Sequence, residues 1–147
     1  MDVKDVIRTT PDRERAMSLM DMAGIRLDSI KLMENSDSRK FASKIVEEYY
    51  ETILELVTAI MSLDGYKTRS DAVGSHMASI NYMRKYREVT DYEIALMDSM
   101  RKKRIGVKYY GRNVDPEYIK RKRNEILSLI DKLELITNRM SGGKSRA

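Results

Sequence analysis

The chain has no cysteine and no tryptophan, and only one phenylalanine, one histidine and two prolines in 147 residues. Without thiols there is no disulfide scaffold, no cysteine nucleophile and no thiolate zinc site, which agrees with a reducing cytoplasm. The single histidine, His76, excludes a multi-histidine metal site within one chain and the usual histidine-rich catalytic clusters. Carboxylates or basic groups must therefore carry any chemistry, and neither a metal nor a cofactor is implied. No segment approaches the roughly 18 uncharged apolar residues of a membrane span, and the opening MDVKDVIRTTPDRER lacks a signal-peptide apolar run. A cytoplasmic protein without membrane association is expected.

What remains is 41% hydrophobic and 35% charged, the composition of one compact domain, long enough for a core and too short for a multidomain enzyme. The net charge of +5 and a pI of about 9.3 favour an anionic partner, although charge governs encounter rather than fold. Its distribution is uneven. Up to Gly74 there are 11 basic against 14 acidic residues, and from Ser75 onward 17 against 9, so the basic character belongs to the C-terminal half.

Apolar residues recur at spacings of three and four, the period of amphipathic helices. The expected fold is all-α, an antiparallel up-and-down bundle of about five helices. Residues 1–10 read as a flexible N-terminus, 11–140 as the bundle and 141–147 as a disordered tail. The first helix opens at Thr10-Pro11, carries Ala16, Met20, Ala23, Leu27 and Ile30 on one stripe, and ends near Asn35. The second, capped by Asp37 or Ser38, runs through Leu63 to the stop signal Asp64-Gly65. On a helical wheel it places Phe41, Ala42, Ile45, Val46, Tyr49, Tyr50, Ile53, Leu56, Val57 and Ile60 on about half the circumference, so neighbours must cover it from at least two directions. Lys44, Glu47, Glu48, Glu51 and Glu55 fill the rest. A shorter third helix bears Val73, Met77, Ile80 and Met83, weakened by Gly74. Thr90 and Glu93 form a capping box for the fourth helix, which frays at Gly106 and Gly111. Asp115-Pro116-Glu117 opens the fifth, with Ile119, Ile126, Leu129, Ile130, Leu133 and Ile136 inward. The eleven methionines read as core fillers.

The fourth helix carries an anomaly. With Ile94 at 0°, Met97, Met100 and Val107 fall at about 300°, 240° and 220°, and Arg104 at about 280° on that same apolar arc. A guanidinium there cannot shed its proton and needs an anion, a carboxylate or water. Arg101 and Lys108, near 340° and 320°, flank it. One reading lets Arg104 snorkel, or reach an acidic residue of a neighbouring helix because Gly106 ends the helix early. The other makes it an anion site, since a planar fork grips two phosphate oxygens at once. RKKR at 101–104 and KRKR at 120–123 would widen such a site if they converge across the 109–115 loop. Tyr109 and Tyr110 are suited to stacking on a base, although adjacent tyrosines at a frayed helix end more often pack half-buried. His76 reads as a surface or helix-face residue rather than a catalytic one.

The run from Arg101 to Gly111, RKKRIGVKYYG, preceded by the EIALMDSM helix, resembles the signature region of HEPN domains, the higher-eukaryote and prokaryote nucleotide-binding family. The segment from Val46 to Ser70 resembles that family's long second helix and the turn after it, and the helix order is similar over most of Glu14 to Met140. The resemblance implies a homodimeric all-α bundle. Ribonuclease members carry an arginine, four to six intervening residues and then a histidine at the dimer cleft. Arg104 stands at the arginine and Tyr109, followed by Tyr110, where the histidine belongs.

A phenol with a pKa near 10 is a poor general base at neutral pH. The resemblance therefore implies binding of RNA or nucleotide phosphates through Arg101, Arg104, Lys108, Tyr109, Tyr110 and Arg112, without the standard nuclease reaction. It further implies the helical half of a toxin–antitoxin-type pair with a small nucleotidyltransferase. Two rival functions remain, a metal-independent endoribonuclease using Arg104 with Tyr109 as catalytic residues, and a protein–protein interaction module.

Overall fold

A computed structural model describes residues 5–69 and 74–142 of the chain. Its elements are β1 (Val6–Arg8), α1 (Arg13–Asp37), α2 (Ala42–Asp64), β2 (Tyr66–Thr68), α3 (Ser75–Tyr82) with a 3-10 turn over Met83–Lys85, α4 (Asp91–Tyr110) and α5 (Pro116–Met140). The fold is the all-α bundle expected. Side-chain bonds fix its directions. Arg15 meets Ser62 and Tyr49 meets Glu34, so α1 and α2 are antiparallel; Tyr92 meets Glu125 and Ser99 meets Tyr118, so α4 and α5 are too.

Helix α2 is the central member, packed against α1, α3, α4 and α5. Every residue of its predicted apolar arc from Ala42 to Ile60 is buried, Phe41 partly. On the opposite side of α2, Lys44 is exposed but the carboxylates of Glu48 and Glu55 are largely enclosed. Glu55 is only 8% exposed, and Arg26 of α1 holds it through Nε at 2.9 Å and holds Glu48 through Nη1 at 2.7 Å. Burial of that carboxylate is tolerable only because a guanidinium satisfies it.

Several boundaries differ from expectation, each for a local reason. Asp12, not Thr10, caps α1, its carboxylate accepting from the Arg15 amide at 2.9 Å. The helix continues to Asp37, and α2 begins only after Phe41, because Asp37 accepts from the Lys40 amide and closes the intervening turn. Gly74 is the N-cap of α3 rather than a weak point inside it, and Val73 lies outside the described residues. Gly106 does not fray α4: it is buried and helical, its carbonyl accepts from the Arg112 amide at 3.0 Å, and the helix stops at left-handed Gly111. The capping box at Thr90 and Glu93, and the Asp115 cap with Pro116 in the first turn, are as expected.

Both chain ends carry more order than expected where they are described. Val6–Arg8 pairs antiparallel with Tyr66–Thr68, and the Thr9 amide donates to Gly65 at 2.8 Å. Gly65 ends α2 with φ +83°, and a Cβ there would stand 2.8 Å from the Thr9 carbonyl. Only glycine fits both demands. Ser141, assigned to the tail, caps α5 and accepts from Arg13; residues 143–147 lie outside the described residues. Met20, Met61, Met83, Met97 and Met100 are core, as expected, whereas Met22 is half exposed. Among the described residues no helix is long and apolar enough to cross a membrane.

Candidate functional site

Lysine and arginine in the last turns of a helix complement the negative end of its dipole, so the basic run of α4 is explained in part by the helix itself. What surrounds it decides the rest. Arg104 is turned inward, its side chain 15% exposed, and its Nε lies 2.6 Å from Glu51 Oε1 on α2. The approach is off the N–H direction, so neither atom makes an aligned hydrogen bond although both are buried. The pair is held by charge more than by geometry. The guanidinium also stands 6.0 Å from the centre of the Tyr50 ring. The alternative in which an acidic residue of a neighbouring helix meets Arg104 is therefore realised, without Gly106 ending the helix.

Beside this pair opens a hollow of about 230 Å³ lined by Gly74, Ser75, His76, Arg101, Arg104, Ile105 and Tyr109. Arg101 is oriented by Asp98, which accepts from its Nε and meets its Nη2, both at 3.0 Å. Burial opposes ionisation of Asp98, but the hydrogen bonds from Arg101 and Lys102 outweigh it and hold its carboxyl below the usual range. His76 comes from the first turn of α3 and places Nδ1 3.2 Å from the Tyr50 hydroxyl. Tyr50 is fully buried, and burial pushes its phenol well up, so it stays protonated.

His76 is a site residue that the sequence does not reveal. Nothing in the sequence near it carries a signal, because α3 and α4 bring it to Arg104 only when both pack on α2. Burial lowers its pKa, and the positive charge of Arg104 lowers it further. The native imidazole is thus neutral near pH 7. As pH falls through the unfolded value near 6.5, the unfolded chain takes up a proton that the native state resists, so His76 costs stability on the acid side. His76→Gln is expected to flatten the loss of melting temperature between about pH 7 and pH 5; an unchanged slope would place the imidazole in water.

The other predicted residues divide. Tyr109 reaches the hollow, while Lys108 is exposed beside it and contributes through its charge on His76. The expectation that the tyrosines pack half-buried fails: Tyr109 and Tyr110 are 65% and 67% exposed, because Gly111 ends the helix before another element covers them. Lys108 sits over the Tyr109 ring and Arg112 over the Tyr110 ring. Arg112 belongs to a different, larger groove of about 650 Å³, lined also by Asp98, Lys102, Lys103, Gly106 and Asn113. The two basic runs do not converge. Lys120 and Arg123 line a groove with Glu34 and Glu117, Arg123 pairs with Glu34 at 2.9 Å, and Lys122 binds the Tyr92 hydroxyl. Among the described residues no group of three or more acidic or imidazole side chains is arranged to hold a metal.

Compared with protein-family models, with curated proteins and with solved structures, the chain matches none.

Proposed function

We propose that the protein is a HEPN-like domain that binds RNA or nucleotide phosphates in the hollow beside Arg104, as a homodimer and as the helical partner of a small nucleotidyltransferase. The observation that carries the binding reading is the meeting of Arg101, Arg104, His76 and Tyr109 around one opening. At about 230 Å³ the hollow is smaller than the roughly 300 Å³ at which ligand pockets for larger molecules begin. It suits a single phosphate group, with the base outside. Arg101 and Arg104 supply charge-assisted donors, and Glu51 is the internal anion that a phosphate must displace or share. Asp98 fixes the Arg101 guanidinium in place beforehand, so little ordering cost remains for binding.

A second reading, the metal-independent endoribonuclease, draws on His76. It is a neutral imidazole next to two guanidiniums, the combination that removes a hydroxyl proton and stabilises a pentacovalent phosphate. Cleavage of RNA in chelator that is lost in His76→Ala and Arg104→Ala would select it; intact RNA keeps the protein a binding module.

Because the chain has one histidine, its imidazole gives a single unambiguous NMR signal. Titration with 5′-AMP is expected to shift that signal and to raise the imidazole pKa, since a bound phosphate favours the charged ring. A signal that does not respond to AMP at any concentration up to millimolar overturns the reading.

A further inference from the structure

A hollow of about 400 Å³ opens where the link from β1 to α1, the first turn of α1, the last two turns of α2, strand β2 and helix α3 meet. It shares no residue with the one beside Arg104, and its volume lies within the roughly 300–1,000 Å³ of ligand pockets. Backbone bonds fix its walls. The Thr9 amide donates to Gly65 at 2.8 Å, the Asp12 amide donates to Ser62 at 2.9 Å, and Val6–Arg8 pairs with β2, so little ordering remains for a ligand to impose. The lining carries six hydroxyl residues, Thr9, Thr10, Thr58, Ser62, Thr68 and Ser79, with two cations, Arg15 and Lys67, and one carboxylate, Asp12. Arg15 is set differently from Arg26, Arg104 and Arg123, each of which meets a carboxylate. Its Nη1 donates to the hydroxyl of Ser62, a residue 2% exposed, at 3.1 Å. Among the described residues neither Arg15 nor Lys67 makes an ion pair. A neutral hydroxyl therefore aims the Arg15 fork without cancelling its charge.

We propose that this hollow binds a small polyhydroxylated carboxylate of the sugar-acid class, its carboxylate on Arg15 and Lys67 and its hydroxyls on the serine and threonine side chains. A guanidinium grips a carboxylate through two parallel bonds. Serine and threonine both donate and accept, so they match alcohols, which do the same. Two cations against one carboxylate in the lining leave a single positive charge in excess, enough for one carboxylate. A phosphate group, at about −1.5 to −2, would exceed it and meet Asp12, whose charge is already engaged by the Arg15 amide at 2.9 Å. A fatty acid of similar length would satisfy Arg15 but leave the hydroxyls of the lining without partners, and polar groups left unpaired are what make a site selective. Met61 and Tyr66 supply the apolar contact for the C–H edges of the ligand. The site is independent of the phosphate reading given above.

The test titrates gluconate, glucose, hexanoate and inorganic phosphate into the wild type, Arg15→Gln, Thr58→Val and Arg104→Ala, followed by calorimetry. Arg15 is exposed and Thr58 half-buried, and an unchanged melting temperature checks the fold of each variant. Gluconate is expected to bind at least about tenfold more tightly than glucose, which lacks the carboxylate, and than hexanoate, which lacks the hydroxyls. Arg15→Gln should lower gluconate affinity about tenfold or more and leave glucose unchanged; Thr58→Val should weaken gluconate and leave hexanoate unchanged. Arg104→Ala should bind gluconate as the wild type does. No gluconate binding by the wild type up to about 10 mM, or no loss in Arg15→Gln, overturns the inference. Hexanoate or phosphate bound as tightly as gluconate overturns the sugar-acid assignment, and loss of gluconate binding in Arg104→Ala places the ligand in the other hollow and overturns this site.

Discussion

Replacing Arg26 by alanine is expected to cost the bundle about 3 kcal/mol, read as a lower urea midpoint at unchanged slope and a melting temperature about 6–12 °C lower. Arg26 donates to Glu48 at 2.7 Å and to both oxygens of Glu55 at 2.9 and 3.3 Å. Those carboxylates sit on the central helix, and Glu55 is nearly as enclosed as the apolar residues beside it. Removing the guanidinium leaves Glu55 buried without its cation, and leaves Glu48 only the exposed Lys44 at 3.4 Å. The loss comes from stranding those charges rather than from losing attraction, so the triple change Arg26→Met, Glu48→Gln and Glu55→Gln should recover most of it. A cost below about 1 kcal/mol, the ordinary value of an exposed ion pair, would mean that the acidic side of α2 is solvated after all.

That acidic side marks where sequence reading stops. The buried arc of α2, from Ala42 to Ile60, is legible because a 3.6-residue period depends only on the helix itself. The capping residues Thr90, Glu93 and Asp115 are legible for the same reason, since each acts within one turn. What opposes Glu48, Glu51 and Glu55 is set by the packing of α1 and α4, which no local pattern encodes. The wheel correctly turned Arg104 inward, yet its partner Glu51 and its neighbour His76 belong to other helices. Tyr109 and Tyr110 were expected to pack because aromatic rings usually find cover; Gly111 ends the helix too soon for any cover to reach them. The strand Val6–Arg8 is not legible because its three residues are too few for a period, and its partner follows the distant Gly65 turn.

Arg104→Ala is expected to lower affinity for 5′-AMP and short RNA by about tenfold to a hundredfold, since hydrogen bonds to charged groups are worth about 1.5–3 kcal/mol. Arg104→Lys should lie between, because it keeps the charge and loses the planar fork. Glu51→Gln should move affinity the other way: its carboxylate, 2.6 Å from Arg104, competes for the place a phosphate would take, and a neutral amide competes less. Tighter binding in Glu51→Gln would show that the ion pair guards the hollow. Weaker binding would show that Glu51 positions the guanidinium. Both variants need a melting measurement beside the affinity, since Arg104→Ala leaves the partly buried Glu51 without its partner.

The most direct measurement is the affinity for a short RNA as a function of salt, for the wild type beside Arg104→Ala and Lys31→Ala, the latter an exposed cation on α1 with the same loss of charge. Counterion release predicts a linear fall of log affinity with log salt, with Arg104→Ala binding much more weakly at every salt concentration and with a shallower slope, and Lys31→Ala tracking the wild type. Equal losses in the two variants, or no salt-dependent binding by the wild type, would contradict the account.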